Sequence, residues 1–312
     1  MKPKVSVIVP VKDRRQLLLR CVGSVLGQSY RPLQLIIVDN GSGDGSAEAA
    51  REWAVAHSSE DFAVEVLSEP KPGACAARNR GLKAANGEFT FFFDSDDTMR
   101  PRLIELAMAE FDKDPNIDIV CWKADIHQLD GSVRQPAFNP GNPLEDHLVN
   151  ALLRTQGYIA RTDTFREAGG WNEDLPGWND WELGARLLLG NLKVAAINES
   201  LVDIYSQPES ITGRNFSSKA GCWEKSLAAV ATDIERSGRS DNERMLRIVS
   251  YRRIILAAHY AKEGSAELAQ NLKRETLKDD SLTSLHKMLL NFAYHYTQKG
   301  GRGAWHFLRY FL

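Results

Sequence analysis

Cysteine is scarce in this sequence, and the four cysteines that occur are far apart. They stand at Cys21, Cys75, Cys121 and Cys222, so none forms the close pair that binds zinc or acts as a redox couple. Disulfides accumulate in secreted domains, whereas cytosolic proteins keep their thiols reduced. We therefore expect reduced, mostly buried thiols in a cytoplasmic protein.

Long apolar runs and an excess of charge are also missing. No segment reaches the roughly 20 apolar residues that a transmembrane helix needs, and residues 4–9 are too short for a secretory signal. The 39 basic residues nearly balance the 41 acidic ones, so the formal net charge is −2. A chain without a basic excess has no general attraction for nucleic acid, and we expect no nucleic-acid partner.

The first predicted strand is not followed by a glycine-rich turn. A dinucleotide-binding dehydrogenase would carry Gly-x-Gly-x-x-Gly there, and a sugar-1-phosphate nucleotidyltransferase would also have a glycine-rich loop near the N-terminus. This chain instead has Pro10-Val11-Lys12-Asp13-Arg14. It also has no convincing Ser/His/Asp or Cys/His set for covalent catalysis. These enzyme classes are poor interpretations of the sequence.

An aromatic strand that runs directly into three carboxylates is the most informative segment. Residues 89–93 read Phe-Thr-Phe-Phe-Phe, and Asp94, Asp96 and Asp97 follow within four residues. Ligands of α/β sheets bind outside the carboxyl ends of the strands, and clustered carboxylates repel one another unless a cation is present. Because Mg²⁺ is often held by one or two carboxylates and substrate phosphates, the segment predicts a metal–diphosphate site. An acidic turn that caps the helix near 100–111 is the structural alternative.

Strand and helix signals alternate over roughly the first 125 residues, which predicts an α/β fold with a mostly parallel sheet. Leu18, Cys21, Val22 and Val25 have the i, i+3, i+4, i+7 spacing of one helix face. The predicted strands of this part are 5–9, 33–38, 64–67, 89–93 and 117–124, and further predicted helices are 46–57, 74–85 and 101–111. A helix at 144–153, a strand at 157–161, a helix ending near 189 and strands near 194 and 202 complete the predicted core.

Beyond residue 215 the pattern is entirely helical. Ser240 and Glu243 have the spacing of a capping box for a helix that reaches Lys262. We therefore predict a core domain over residues 1–215 and a helical C-terminal extension over 216–312.

Four segments of the N-terminal half together resemble one enzyme family. They are Val5-Ser6-Val7-Ile8-Val9-Pro10, Val38-Asp39-Asn40-Gly41-Ser42, Gly73-x-x-x-x-Arg78-Asn79-x-Gly81 and Phe93-Asp94-Ser95-Asp96-Asp97, in that order. Over roughly residues 3–215 the chain resembles the inverting glycosyltransferases of family 2, which have the GT-A fold. The resemblance implies a GT-A, Rossmann-like sheet flanked by helices, with residues 1–215 as the catalytic domain.

The resemblance also implies a role for each matching residue. The implied residues for binding a nucleotide-sugar donor are Pro10, Val11, Asp13, Asp39, Arg78, Asp94 and Ser95. Asp96 would hold the Mg²⁺ or Mn²⁺ ion that bridges the two phosphates, and Asp180 would be the catalytic base. The implied reaction is inverting transfer of a sugar, from a UDP-sugar or else a GDP- or dTDP-sugar, to a hydroxyl of a glycan or lipid-linked acceptor. The implied setting is polysaccharide or glycolipid biosynthesis. A non-catalytic protein that binds nucleotide sugars or carbohydrate is the alternative function.

Some residues depart from the family pattern, and others have structural alternatives. Asn40 stands where a second Asp is usual, and Asn179 stands where Glu is usual. In the segment from Tyr205 to Ser210, the His that the family often has before the serine is missing. Asp39 has an alternative as a turn residue, Arg78 as a solvated helix charge, and Asp180 as a helix N-cap. The loop with Trp171, Trp178 and Trp181 suits a carbohydrate cleft, or else these rings pack in a core.

The C-terminal segment has no acidic residue after Asp280, whereas it carries four basic residues. Its apolar residues at helical spacing are Leu285, Met288, Leu289, Phe292, Ala293 and Tyr296, and its basic residues are Lys287, Lys299, Arg302 and Arg309. A basic amphipathic helix predicts peripheral contact with the inner face of a membrane. Docking on the catalytic domain or on a second subunit is the alternative.

Overall fold

A computed structural model of the protein describes residues 2–207 and 216–311, without the side chain of Phe307. These residues form two compact units. The sheet unit comprises Met1–Pro143, Leu152–Asp174 and Asn191–Pro208, and the helical unit comprises Leu144–Ala151, Leu175–Gly190 and Glu209–Leu312. Two short segments that precede residue 215 therefore group with the C-terminal helices. The domain boundary at 215 and 216 falls partly outside the described residues and stays a prediction.

Within the described residues, the sheet unit is built on a nine-stranded mixed sheet. Its strands are β1 (Val5–Val11), β2 (Leu33–Asp39), β3 (Phe62–Ser68), β4 (Phe89–Phe92), β5 (Thr98–Met99), β6 (Ile119–His127), β7 (Val133–Arg134), β8 (Tyr158–Arg161) and β9 (Val194–Tyr205). The order is β3-β2-β1-β4-β8-β6-β9-β5, and β7 pairs with β6. The pairs among β3, β2, β1 and β4 are parallel, as is β6 with β9, whereas β8, β5 and β7 pair antiparallel with their neighbours. The predicted α/β class is confirmed.

The parallel strands are buried because helices flank the sheet. Every residue of β1 and β2 is buried, which is typical of parallel strands covered on both faces. The flanking helices are α1 (Arg15–Leu26), α2 (Ser46–His57), α3 (Ala74–Ala84), α4 (Leu103–Lys113) and α6 (Thr162–Glu167). The predicted face of α1 is confirmed, since its buried residues are Leu18, Cys21, Val22 and Val25. The short elements β5, β7 and α6 were not predicted.

Helix α3 packs closely on the sheet because Gly81 has no side chain. An ideal Cβ atom on Gly81 would lie 2.4 Å from Cγ2 of Ile8 in β1 and 3.3 Å from Cγ2 of Val38 in β2. A glycine is therefore needed at this position of the Arg78-Asn79-x-Gly81 segment. The close approach holds α3 against the two strands whose carboxyl ends carry predicted site residues.

The helical unit is organised around one long helix. Its helices are α5 (Pro143–Asn150), α7 (Asn179–Leu189), α8 (Ala220–Arg236), α9 (Asn242–Lys262), α10 (Ala266–Leu277), α11 (Ser284–Gln298) and α12 (Trp305–Leu308). Helix α9 contacts α8, α10 and α11, and its predicted end at Lys262 is confirmed. The predicted capping box is wrong, because Asp241 rather than Ser240 occupies the N-cap of α9 and makes no side-chain capping bond.

Helix α11 has one buried face and one exposed apolar face. Its buried residues are Leu290, Ala293, Tyr294 and Thr297. Leu285, Met288 and Phe292, at helical spacing, are 48%, 61% and 52% exposed. Part of the predicted apolar stripe therefore lacks cover within the described chain. In that same part of the chain, we find no helix with the length and apolar character of a membrane span.

Replacing Gly81 by alanine is expected to destabilise the protein by roughly 1–3 kcal/mol, because the added methyl group would overpack against Ile8. Gly23→Ala in α1 is the matched control, since a Cβ atom there meets nothing within 4 Å. Alanine at that helix position should be neutral or stabilising by up to about 1 kcal/mol. Urea unfolding of both variants measures the difference. A Gly81→Ala protein as stable as the wild type would contradict the close packing of α3.

Candidate active site

The carboxylates that follow β4 are partly or fully buried. Asp97 is 1% exposed, and the side chains of Asp94 and Asp96 are 28% and 16% exposed. Ser95, a predicted donor-binding residue, is also buried. Helix α4 begins only at Leu103, and its N-cap is Arg102. The interpretation of this segment as a helix-capping turn is therefore wrong.

Asp94 is held by two donors from distant segments. Arg78 Nη2 donates to Oδ1 at 2.7 Å, and Gln156 Nε2 donates to Oδ2 at 2.8 Å. The Arg78 guanidinium also lies over the Trp171 ring, 4.3 Å from its centroid, and Arg78 is buried. Arg78 is thus not a solvated helix charge. Its charge is fixed beside the carboxylate cluster by a ring and an ion pair.

Asp96 and Asp97 have partners that the sequence did not predict. Arg14 forms an ion pair with Asp96. Gln156 also donates to Asp97, and the backbone N–H of Tyr205 donates to Asp97 Oδ1 at 2.9 Å. Arg14 stands just after β1, so its proximity to this edge of the sheet was a usable signal. For Gln156 and Tyr205 no local pattern existed.

Burial makes the negative charge of this cluster unfavourable. It raises the pKa of Asp96, repulsion from Asp94 raises it further, and Arg14 lowers it only in part. Burial likewise raises the pKa of Asp97 well above its usual range, with repulsion from Asp96 and Asp94 adding to the effect. A cation at this position would relieve the repulsion.

The residues present fit a cation that is bound together with a diphosphate. Among residues 2–207 and 216–311, no group of three or more His, Cys, Asp or Glu side chains is arranged to hold a metal ion. Mg²⁺ needs no such cage, since one or two carboxylates and substrate phosphates commonly suffice. Asp96, in a cluster that disfavours its own charge, fits such a shared site.

The ends of β1 and β2 form the neighbouring part of the same sheet edge. Pro10 and Val11 pair with Val38 and Asp39. The buried Asp39 carboxylate accepts hydrogen bonds from the backbone N–H groups of Gly41, at 3.2 Å, and Ser42, at 3.3 Å. Asp39 is therefore a turn residue in this structure. This role is compatible with nucleotide binding, because a carboxylate can accept further hydrogen bonds.

Asp13 fixes the same loop from the side of β1. Its φ angle of 52° is in the left-handed region, which is uncommon for a residue other than glycine. Its Oδ1 accepts a hydrogen bond from Gly43 N at 2.7 Å, and its own N–H donates to Ser42 Oγ at 3.0 Å. These bonds join the loop that follows β1 to the loop that follows β2.

The departure at Asn40 has a structural reason. Its Nδ2 donates to the carbonyls of Glu69 and Lys71, both at 2.8 Å, and its Oδ1 accepts from Gly73 N at 2.8 Å. An ionised aspartate could not donate the first two bonds. Asparagine therefore fixes the segment that leads into α3.

Asn79 connects α3 to the segment around Trp171. Its Nδ2 donates to Trp171 O at 2.9 Å, and Trp171 N donates to its Oδ1 at 2.8 Å. Gly170 has a φ of 72°, and a Cβ atom there would lie 2.6 Å from Asn79 Oδ1. Trp171 is 2% exposed, which favours core packing over sugar stacking for this ring.

Asp180 belongs to the helical unit, at the second residue of α7. The N-cap of α7 is Trp178, so Asp180 is not the capping residue. Its Oδ1 accepts a hydrogen bond from Trp181 N at 2.9 Å. Glu182, a neighbouring carboxylate, is buried in a two-bond ion pair with Arg186 at 2.7 and 3.0 Å. Ser210, also considered from the sequence, lies outside the described residues.

The sheet unit therefore brings the predicted donor and metal residues to one edge of its sheet. The sequence profile described as Glycosyl transferase family 2 matches residues 6–165. The chain belongs to glycosyltransferase family 2. The matched range contains each residue that the sequence implied for donor and metal binding, whereas Asp180 lies beyond it.

Curated relatives of this family-2 chain match only part of it. Glycosyltransferase GlyG of Streptococcus pneumoniae serotype 4 is 37% identical over 106 residues, which is 34% of this chain and 34% of that protein. The match thus spans about a third of the relative's length.

Solved structures of low identity share the fold of the family-2 chain. S. aureus TarS 1-349, crystallised in complex with UDP-GlcNAc, has a TM-score of 0.70 at 17% identity and covers 98% of this chain and 92% of that chain. Mannosyltransferase PcManGT from Pyrobaculum calidifontis, in complex with GDP-Man and Mn2+, has a TM-score of 0.56 at 19% identity, with coverage of 96% and 88%. The predicted GT-A fold, with a helical C-terminal region, is confirmed.

Asp96→Asn is expected to stabilise the ligand-free protein at pH 7 by roughly 1 kcal/mol. Because the folded-state pKa of Asp96 is raised, its ionised form is less favourable in the folded than in the unfolded chain. The gain should shrink as the pH falls and vanish well below about 4, where the carboxyl group is protonated in both states. Urea unfolding at several pH values measures it.

Asp44→Asn is the control of opposite sign, because a hydrogen bond from Ser46 lowers the pKa of the exposed Asp44. That variant should lose stability at neutral pH and not at low pH. An Asp96→Asn protein that is less stable than the wild type at pH 7 would show that the ion pair with Arg14 outweighs the repulsion.

Proposed function

We propose that this family-2 glycosyltransferase transfers a sugar from a UDP-sugar, with inversion, to a hydroxyl group of a glycan or lipid-linked acceptor. The single observation that carries the proposal is the enclosed carboxylate cluster after β4, with Arg78 fixed beside Asp94. A nucleotide diphosphate with a divalent cation has the charges that such a cluster and arginine would bind together. The complex of TarS with UDP-GlcNAc supports UDP as the nucleotide. Polysaccharide or glycolipid biosynthesis is the proposed setting.

Each donor-binding residue has a defined part in the proposal. Asp39 and Asp13, with Pro10 and Val11, would line the nucleotide site at the ends of β1 and β2. Arg78, which is held in place by stacking on the Trp171 ring, would stabilise the charge that develops on the leaving diphosphate. Asp94 and Ser95 would contact the ribose or sugar.

Asp96 would be the protein ligand of a Mg²⁺ or Mn²⁺ ion. When bound, such an ion neutralises diphosphate charge and makes the nucleotide a better leaving group. The complex of PcManGT with GDP-Man and Mn2+ supports a divalent cation in this fold.

Asp180 would act as the general base of a single displacement. The acceptor oxygen would form a bond with the anomeric carbon as the bond from that carbon to the diphosphate oxygen breaks, and the acceptor proton would move to the Asp180 carboxylate. A single displacement with inversion needs no covalent nucleophile. A positioned general base typically increases the rate by ~10²–10⁴-fold. A non-catalytic carbohydrate-binding function is not favoured, because such a protein needs no carboxylate cluster behind a central strand.

A thermal-shift screen of UDP-, GDP- and dTDP-sugars with Mn²⁺ tests the donor, and the Asp180→Asn variant tests the base. A UDP-sugar should raise the melting temperature of the wild type and of Asp180→Asn alike, because a ligand at 100 times its Kd stabilises by about 2.7 kcal/mol. The kcat for UDP release should fall by ~10²-fold or more in Asp180→Asn.

Asp174→Asn is the matched control for the base, since Asp174 is an exposed carboxylate of the preceding loop. It should keep the wild-type kcat. A shift with GDP- or dTDP-sugars alone would overturn the UDP assignment. Near wild-type turnover by Asp180→Asn, with loss in Asp174→Asn, would move the base to Asp174.

We also propose that the protein is cytoplasmic and binds the inner face of a membrane peripherally through α11. Leu285, Met288 and Phe292 form its exposed apolar face, and the chain beyond Asp280 carries basic but no acidic residues. Each basic residue near an anionic surface contributes about 1 kcal/mol, so apolar contact and charge would act together. A lipid-linked acceptor would be reached at that surface.

Co-sedimentation with phosphatidylserine vesicles tests the α11 proposal. The triple variant Leu285→Ser, Met288→Ser, Phe292→Ser should lose most of the binding, and added salt should weaken binding by the wild type. Val55→Ser, Leu129→Ser, Val133→Ser is the matched control, because these three apolar residues of the sheet unit are at least as exposed as Leu285. Equal sedimentation of both triple variants would contradict a membrane role for α11.

A further inference from the structure

Arg252, in the middle of α9, holds the first turn of α7 through two aromatic rings. Its guanidinium carbon lies 4.6 Å from the Trp178 ring centroid and 4.7 Å from that of Trp181. Its Nη1 donates to the carbonyls of Leu148 and Val149, at 3.0 and 3.1 Å. The planar guanidinium thus joins the end of α5 to the two tryptophans that flank Asp180 on either side in the chain.

The backbone of Trp178 is in a conformation that its surroundings must impose. Its φ of 50° and ψ of 32° are left-handed, which is rare for a bulky residue. Such conformations persist only where packing fixes them. The Trp178 ring packs against the rings of Trp181, Trp223 and Phe216, with centroids 6.0, 5.2 and 6.3 Å away, and against Arg252. This strained residue immediately precedes α7 and so sets the direction in which the helix begins.

The charge of Arg252 also acts on Asp180. Burial lowers the pKa of Arg252 to about 10, and the nearby negative charge of Asp180 is the larger of the two influences that raise it. Arg252 therefore remains a cation at neutral pH, close enough to Asp180 for the two charges to interact. The Nε atom of Arg252 is buried and has no hydrogen-bond partner among the described residues.

We propose that Arg252 is a positioning residue for Asp180. A side chain of the helical C-terminal region would then contribute to the rate of the reaction. Arg252 stacks on Trp178 and Trp181, which flank Asp180 in the chain, and so fixes the turn that carries this carboxylate. Lysine could supply the charge but neither the flat stacking surface nor the same pair of carbonyl bonds. The inference rests on the proposed role of Asp180 as the base.

Steady-state kinetics of UDP release from UDP-GlcNAc, by the intact protein, separates positioning from folding. Arg252→Met should lower kcat by roughly 10-fold to 100-fold, because small misplacements of a reacting group have effects of this size. Its Kd for UDP should stay within about twofold of the wild-type value, since nucleotide binding is assigned to the sheet unit. Arg252→Lys should recover part of kcat. Arg253→Met, the adjacent partly buried arginine of α9, is the matched control and should leave kcat unchanged.

A double-mutant cycle with Asp180→Asn decides whether Arg252 acts through Asp180. The double variant should be no slower than Asp180→Asn alone, because a positioner has no effect once the base is gone. Losses that multiply, or an unchanged kcat in Arg252→Met, would overturn the proposal. If Asp180→Asn itself keeps wild-type kcat, the base assignment fails first and the inference fails with it. Where Arg252→Met melts below the assay temperature, Arg252→Lys takes its place in the same cycle.

Discussion

Three partly or fully buried carboxylates that follow one strand are the constraint on which the sheet unit depends. Burial and repulsion within the cluster disfavour the ionisation of Asp96 and Asp97. Their compensation comes from distant segments: Arg14 before α1, Arg78 in α3, Gln156 before β8 and Tyr205 at the end of β9. Positive charge and hydrogen-bond donors therefore draw the flanking elements to one edge of the sheet. The remaining repulsion is a local loss of stability that a cation and a diphosphate would relieve.

The parts of this arrangement that local sequence patterns encode could be predicted. Helix α2 was predicted with its observed ends, and β1, β2 and α3 differ from prediction by at most two residues at either end. Because ligands gather at the carboxyl ends of strands, the positions of Asp39 and Asp94 followed from the strands themselves. Gln156 could not be found in this way, since a single glutamine in an irregular segment has no periodicity and gains its role only from contacts 62 and 59 residues away.

In the helical unit, sequence predictions were wrong or incomplete for a different reason. A capping box from Ser240 and Glu243 was a reasonable pattern, yet the adjacent Asp241 takes the N-cap position and makes no side-chain capping bond. The start of α9 is therefore not set by the side-chain cap that the pattern predicted. From the sequence alone, Arg252 could not be distinguished from any other charged residue of a helix. Only the tertiary contacts with Trp178 and Trp181 distinguish it. Local patterns thus predicted which elements form, whereas the partners of buried charges required the packed structure.

We propose above all that the carboxylate edge of the sheet unit binds a divalent cation jointly with a nucleotide diphosphate. Electron paramagnetic resonance of aqueous Mn²⁺ tests it most directly, because the sharp signal of the free ion is lost when the ion is bound. Wild-type protein with UDP should remove this signal beyond what UDP alone removes, and protein without UDP should remove little of it. Asp96→Asn with UDP should behave like UDP alone. An unchanged free Mn²⁺ signal under conditions where UDP demonstrably occupies the protein would rule out joint binding of the cation and the diphosphate.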